Sequence, residues 1–390
     1  MLDELTYVLI TPYTIFKSRT GNVVARLLSE TGLDLVGARM FAPSRAMAKA
    51  YASCFPPAGA GEKEPRRLLR DYILGHFVLR SGQKRYPRVL LLLLRGPNAI
   101  AKIRQVAGEI RPNDLTGGTL RGSYGNYLRD PQGNVLFFEP AVLIPETKRD
   151  AARHFKIFAR YADSDGGICK NLVAYPKDSN IERTLVMIKP ENFTRPSRRP
   201  GSILDLLARS GLTLLACRVH HMSLEEAEKF YGPNRPILRR IYTKKVAAEA
   251  RTHLGRLLDF EIGGKQAATI GRLLGPSAGD DQFEKIISFM SGVPAQNATP
   301  AQRKKPGPAK LLLLVYEGKD AVARVRTLLG PTNPANAEHG TIRAEFGQSI
   351  MVNAAHASDS IKNARRETAI VRPGENNIRS IIGQYYGKAE

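Results

Sequence analysis

Tryptophan is absent from this 390-residue chain, and cysteine occurs three times, at Cys54, Cys169 and Cys217. The three lie far apart without a C-x-x-C pair, which excludes a disulfide framework and a thiolate zinc site and fits a reducing compartment. Long apolar runs are also missing. A stretch such as Val89 to Leu94 falls far short of the roughly 20 residues that span a bilayer, and the opening MLDELTYVLITPYT carries acids where a secretory signal needs basic residues. The expectation is a soluble, cytoplasmic protein with no membrane partner. Acidic residues are scarce too: 36 Asp and Glu face 59 Lys and Arg, a formal net charge of +23. Polyanions are therefore the first partners to consider. The excess is spread evenly, with 27 basic and 16 acidic residues up to Asn180 and 32 and 20 beyond it, so no basic tail accounts for it.

What the chain does have is 43% hydrophobic residues, enough for two or three packed cores, and an internal repeat. Leu5–Pro12 (LTYVLITP) returns as Arg183–Pro190 (RTLVMIKP), and Leu27–Arg39 (LLSETGLDLVGAR) returns as Leu206–Arg218 (LLARSGLTLLACR). Val89–Gly96 matches Leu311–Gly318, and the motif G-T-L-R-G at 118–122 matches G-T-I-R-A at 340–344. Two copies of one domain follow, residues 1–160 and 181–390, joined by a polar linker at 161–180. The second copy alone carries a basic, helix-patterned insertion at about 232–282. A Pro-, Ala-, Gln- and Lys-rich stretch at about 294–308 reads as a flexible loop.

Within the second copy, strands are expected at Thr184–Ile188, Leu212–Val219, Leu311–Tyr316 and Ser349–Asn353. Helices are expected over Ile203–Arg209, from a Ser223/Glu226 capping box, over Asp320–Leu329, and from Ser358 through Glu367. The order points to an α+β fold, two tandem ferredoxin-like βαββαβ domains with an antiparallel sheet and helices packed on one face.

Seven histidines occur, of which His76, His154, His220, His221, His253 and His339 read as packing or solvated residues. His356 differs, because N-A-A-H-A-S-D-S at 353–360 places it between a strand end and a helix start, where backbone N–H groups favour an anion. A neutral imidazole there suits a nucleophile or base near neutral pH. Three more motifs frame it: I-K-P at 188–190, L-G-P-T-N-P at 329–334 and H-G-T-I-R at 339–343. Together, and in this order, they resemble the nucleoside diphosphate kinase family over most of 181–371 outside the inserts.

The resemblance implies a fold of that type and a transfer of the γ-phosphoryl group from a nucleoside triphosphate to a diphosphate through phosphohistidine on His356. It implies that Glu367 fixes the ring of His356 and that Ser358 lies near both. Lys189, Tyr231, Arg326, Thr332 and Arg343 would surround the phosphates, and Asn353 the ribose and phosphate end. Magnesium would arrive with ATP or another nucleoside triphosphate, held by its phosphates and by no metal ligands of the protein. Nucleoside di- and triphosphates are then the partners, with a homo-oligomer as the family's common state. The residue types are coherent on their own, since phosphoryl transfer needs in-line placement and cations on the equatorial oxygens.

The first copy reads as degenerate. Thr11 stands at the lysine position, Leu143 at the histidine and Ile110 at Thr332, while Arg104, Arg121 and Tyr51 are read as retained. The second copy departs from the family at Ala357, where glycine is usual. The alternative reading is a non-catalytic nucleotide- or nucleic-acid-binding scaffold, motivated by the net charge and the basic insertion. Against a nucleic-acid role stand 7% aromatic residues and no aromatic-rich RNA-binding strand.

Overall fold

The computed structural model describes residues 3–55, 64–80, 82–110, 117–177 and 179–387. The strands are β1 (Glu4–Ile10), β2 (Asp34–Phe41), β3 (Val89–Gly96), β4 (Asn126–Arg129), β5 (Val135–Glu139), β6 (Val142–Leu143), β7 (Ile181–Ile188), β8 (Thr213–His220), β9 (Leu311–Lys319) and β10 (Ala355–Ala357). β2-β3-β1-β6 form one four-stranded sheet and β8-β9-β7-β10 form another in the same spatial order, with β4 and β5 a separate hairpin. Each sheet follows βαββαβ connectivity, so the α+β reading and the repeat hold at the level of topology.

Every residue from Leu5 to Ile10 and from Val89 to Leu94 is buried, as is all of β8. Such strands show no polar–apolar alternation because both sheet faces are covered. This corrects the expectation of helices on one face. In the first copy, Leu5, Tyr7 and Leu9 pack with Met47, Tyr51, Ile73, Phe155 and Phe158 from helices Arg45–Ala52, Glu64–His76 and Lys148–Arg160. Val8 and Ile10 point the other way along the strand and are equally buried.

The two copies meet along helices Thr20–Thr31 and Arg199–Ala208. Glycine makes the crossing possible: a Cβ on Gly201 would lie 2.2 Å from Ala25 N and one on Gly21 2.4 Å from Asp205 N. Asn22 adds a 2.7 Å bond to Asp205. Gly201→Ala is expected to lower the thermal midpoint, with a steric cost of about 1–3 kcal/mol outweighing the helix-propensity gain. Gly383→Ala, in open space on helix Ile378–Tyr386, is the control and should be neutral or stabilising, by up to ~1 kcal/mol.

Several local expectations change. The strand placed at Ser349–Asn353 instead begins six residues later, at β10, because the Val352 carbonyl accepts from Gln348 and Ser349 N–H and closes a turn. Ser223 accepts from Glu226 N–H at 3.1 Å, but the Glu226 carboxylate turns to His220 Nε2, leaving half a capping box. The linker is pinned to the fold: Gly166 bridges Phe41, and Cys169 N–H donates to Leu215. Within 294–308, read as a flexible loop, helix Pro300–Lys304 forms behind a Thr299/Gln302 capping box, which Pro at its first position favours.

The chain divides into two compact units that cut across the repeat. One holds 1–219, 312–368 and 372–390, and the other holds 220–311 with 369–371. In the second unit, helix Arg235–Glu249 packs closely on helix Gly264–Ser291, with Gly271, Gly275 and Gly279 facing the Thr243 and Arg239 backbone. Arg235 and Arg239 both bond Asp280, at 2.8 and 2.7 Å. Two of the insertion's basic residues thus share one carboxylate within the helical pair, which offsets one of their two charges. No helix among the described residues is long and apolar enough to cross a membrane.

Candidate active site

β7 ends at Ile188, and Pro190 opens a turn of 3-10 helix, so the chain reverses just where Lys189 projects. Lys189 is only 8% exposed, and its Nζ donates to Asn353 Oδ1 at 2.7 Å and to the Met351 carbonyl at 2.8 Å. Burial lowers its pKa to about 8, with Glu191 opposing the shift and Arg343 reinforcing it. Asn353 in turn donates to the carbonyls of Thr332 and Ile350.

β10 pairs antiparallel with β7, setting His356 opposite Met187 and Ala355 opposite Ile188. His356 Nε2 lies 2.8 Å from Glu367 Oε2, on helix Ile361–Val371, and Ser358 Oγ donates to the same oxygen at 2.7 Å. Arg366 approaches the other oxygen at 3.3 Å. An ionised carboxylate only accepts, so Nε2 carries the ring proton and the lone pair lies on Nδ1. Arg343 spans the neighbouring backbone, donating to Gly330 O at 2.9 Å and Ala355 O at 3.2 Å. Lys189 bonds Asn353, His356 and Ser358 bond Glu367, and Arg343 bonds the Ala355 carbonyl next to His356, so these residues gather along 353–358 and the end of β7. Arg326 is exposed on helix Ala321–Leu329, its charge acting on Asp359, and the Thr332 side chain is exposed on the following loop. Tyr231 ends helix Leu224–Tyr231 in the other compact unit, buried, with its ring 4.9 Å from Phe230.

Sequence reasoning missed a supporting pair. Glu191 Oε1 accepts from Ala354 N–H at 2.8 Å, and Asn192 Nδ2 donates to the carbonyls of Lys189 and Ala354. They hold Ala354 at φ 70°, a conformation costly for alanine, two residues ahead of His356. The E-N dipeptide following I-K-P was the available signal. Ala357, by contrast, is an ordinary strand residue paired with Val186 and needs no glycine.

The first copy repeats this scaffold without its chemistry. Leu143 faces Leu9 as His356 faces Met187, and Thr11 follows Ile10 as Lys189 follows Ile188. Arg121 reproduces both bonds of Arg343, to Gly108 O and Val142 O. His154 stands where the second copy has Glu367, eleven residues past the histidine position in each. One correspondence is corrected. Ser44 and Ser223 cap equivalent helices, and seven residues on lie Tyr51 and Phe230, so Tyr51 is not the counterpart of Tyr231.

The buried ammonium gives a pH prediction. A phosphate bound at Lys189 would favour its charged form, whereas burial lowers the pKa of the unliganded ammonium to about 8. Nucleotide affinity should be full below that pH and fall by up to about tenfold per unit above it. Titrations of ADP between pH 6.5 and 9.5 measure this; Lys189→Gln should abolish the slope.

A family model described as "Nucleoside diphosphate kinase" matches residues 275–376. The nucleoside diphosphate kinase of Chlamydia pneumoniae is 32% identical over 189 residues, covering 48% of this chain and 89% of that protein. That of Helicobacter pylori (strain Shi470) is 31% identical over 188 residues, covering 48% and 93%. A solved structure of the Aquifex aeolicus nucleoside diphosphate kinase aligns over 49% of this chain and 94% of its own, at 24% identity and a TM-score of 0.31. With relatives above 30% identity matched over nearly their whole length, the chain belongs to the nucleoside diphosphate kinase family.

Proposed function

We propose that the second repeat is a nucleoside diphosphate kinase working through phosphohistidine at His356, and that the first repeat does not transfer phosphate. The observation that carries this reading is the His356–Glu367–Ser358 triad, in which Glu367 engages Nε2 and so assigns the phosphoryl group to Nδ1. In the first half-reaction Nδ1 attacks the γ-phosphorus, the bond from phosphorus to the β–γ bridging oxygen breaks, and the diphosphate leaves with that electron pair. In the second, a terminal β-phosphate oxygen of an acceptor diphosphate attacks phosphorus and the P–N bond breaks, returning neutral His356.

Glu367 stabilises the positive ring as the P–N bond forms, through the Nε2–H it already accepts. Lys189, Arg326 and Arg343 neutralise the equatorial oxygens, and Asn353 holds the ribose and phosphate end. The described residues include no cluster of three or more His, Cys, Asp or Glu suited to a metal, whereas these cations suit phosphate oxygens. The resemblance implies that magnesium would be carried by the nucleotide, where it would withdraw charge from the β- and γ-phosphates. The first repeat, with Leu143 and Thr11, has neither nucleophile nor phosphate lysine.

Initial rates with varied ATP and a second diphosphate test the reading. Parallel double-reciprocal lines are expected for a covalent relay; intersecting lines would reject the phosphohistidine route, and no turnover would favour a binding scaffold.

A further inference from the structure

The first copy encloses a cavity of about 540 Å³ whose wall includes Arg66, Arg104, Arg121, His154, Ile110 and Phe55. That volume lies within the ~300–1,000 Å³ of small-molecule sites. Two of its wall residues hold buried polar atoms without a hydrogen-bond partner among the described residues: His154 Nε2 and Arg121 Nε. The side chains are 2% and 3% exposed, so each missing bond is costly unless something enters to make it. Both are otherwise locked. Tyr7 Oη lies 2.6 Å from His154 Nδ1 and 2.9 Å from Tyr51 Oη, and Arg121 donates to Gly108 and Val142. Burial pushes the His154 pKa down to about 4, so a neutral ring faces whatever binds.

We infer that this cavity is a second, non-catalytic ligand site for a small phosphate monoester with a planar body, of the nucleoside monophosphate type. Arg104 and Arg66 are exposed at its rim and supply the charge for one phosphate. Arg104 now pairs with Glu146 at 3.0 Å, both side chains about half exposed, an ion pair that exchanges for phosphate at little cost. Phe55, Ile110 and Leu69 offer apolar surface to a ring, and His154 Nε2 and Arg121 Nε supply the buried polar contacts.

Longer phosphate chains are disfavoured. Where the second copy has the Lys189 ammonium, the first has Thr11 bonded at 2.6 Å to the buried carboxyl of Glu139, which Tyr72 and Ala141 N–H also engage. A β- or γ-phosphate would meet acid there instead of base. With Leu143 in place of the nucleophile, a bound monophosphate is retained and undergoes no transfer.

Equilibrium dialysis of radiolabelled AMP against the full chain carrying Arg326→Glu, which reverses one charge of the second copy's phosphate site and weakens binding there, tests this without requiring turnover. It therefore reads the first copy whether or not His356 carries phosphate. One AMP per chain is expected, displaced poorly by adenosine or inorganic phosphate alone. Adding Arg104→Glu, or Arg66→Glu as a second rim change, should weaken binding at least tenfold while the thermal midpoint stays unchanged. No AMP bound to the Arg326→Glu chain, or binding indifferent to both rim substitutions, would overturn the assignment.

Discussion

His356→Gln is expected to lower kcat by about 10⁴-fold or more, the scale of loss when a covalent nucleophile is removed. Glutamine keeps a polar group of similar reach but offers no lone pair of comparable nucleophilicity. The side chain is about one-fifth exposed and sits at the middle of a three-residue strand whose backbone pairing with Met187 does not depend on it. Stability should therefore change little, and nucleotide binding should persist. A coupled assay of triphosphate formation, read beside a thermal melt and an ADP titration, separates these effects. Lost binding or lost fold together with lost turnover would assign His356 a structural role.

Lys189→Ala should cost about 10²–10³ in kcat/KM, because one preorganised positive charge at the transferring phosphate is removed from a buried setting. It should also destabilise the unliganded protein by about 1–3 kcal/mol, a second effect with a separate cause. The Asn353 Oδ1 and Met351 carbonyl lose the donor they share at 2.7 and 2.8 Å. Lys189→Arg keeps the charge but lengthens the side chain against a site in which Lys189 is only 8% exposed, so it should rescue stability more than turnover. Steady-state constants and denaturant midpoints for both variants measure the two effects. Equal activity in wild type and Lys189→Ala would remove the lysine from the phosphate site.

The repeat was readable because the same apolar strands recur with the same glycine stops, and both sheets follow from them. Strand β10 was misplaced because S-I-M-V-N looks strand-like, while its backbone groups turn to Lys189 and to a local turn. Covered faces on both sides of the sheets were not legible, since continuous apolar runs such as Val89–Leu94 mark burial without saying what covers them. His356, Glu367 and Lys189 could be found from framed motifs; the support from Glu191 and Asn192 could not, because it consists of bonds to backbone atoms far along the chain. The cavity in the first copy is not legible in the sequence for a related reason. His154 looked like a packing residue, and only the fold shows it at the position of Glu367 with one ring nitrogen unsatisfied.

The most direct measurement is incubation of the full chain with γ-labelled ATP and magnesium, followed by peptide mapping of the retained label. An acid-labile, base-stable phosphoenzyme on the peptide holding His356, discharged by added GDP and absent from His356→Gln, is the predicted result. A chain that retains no label, or carries it on any other residue, would contradict catalysis through His356.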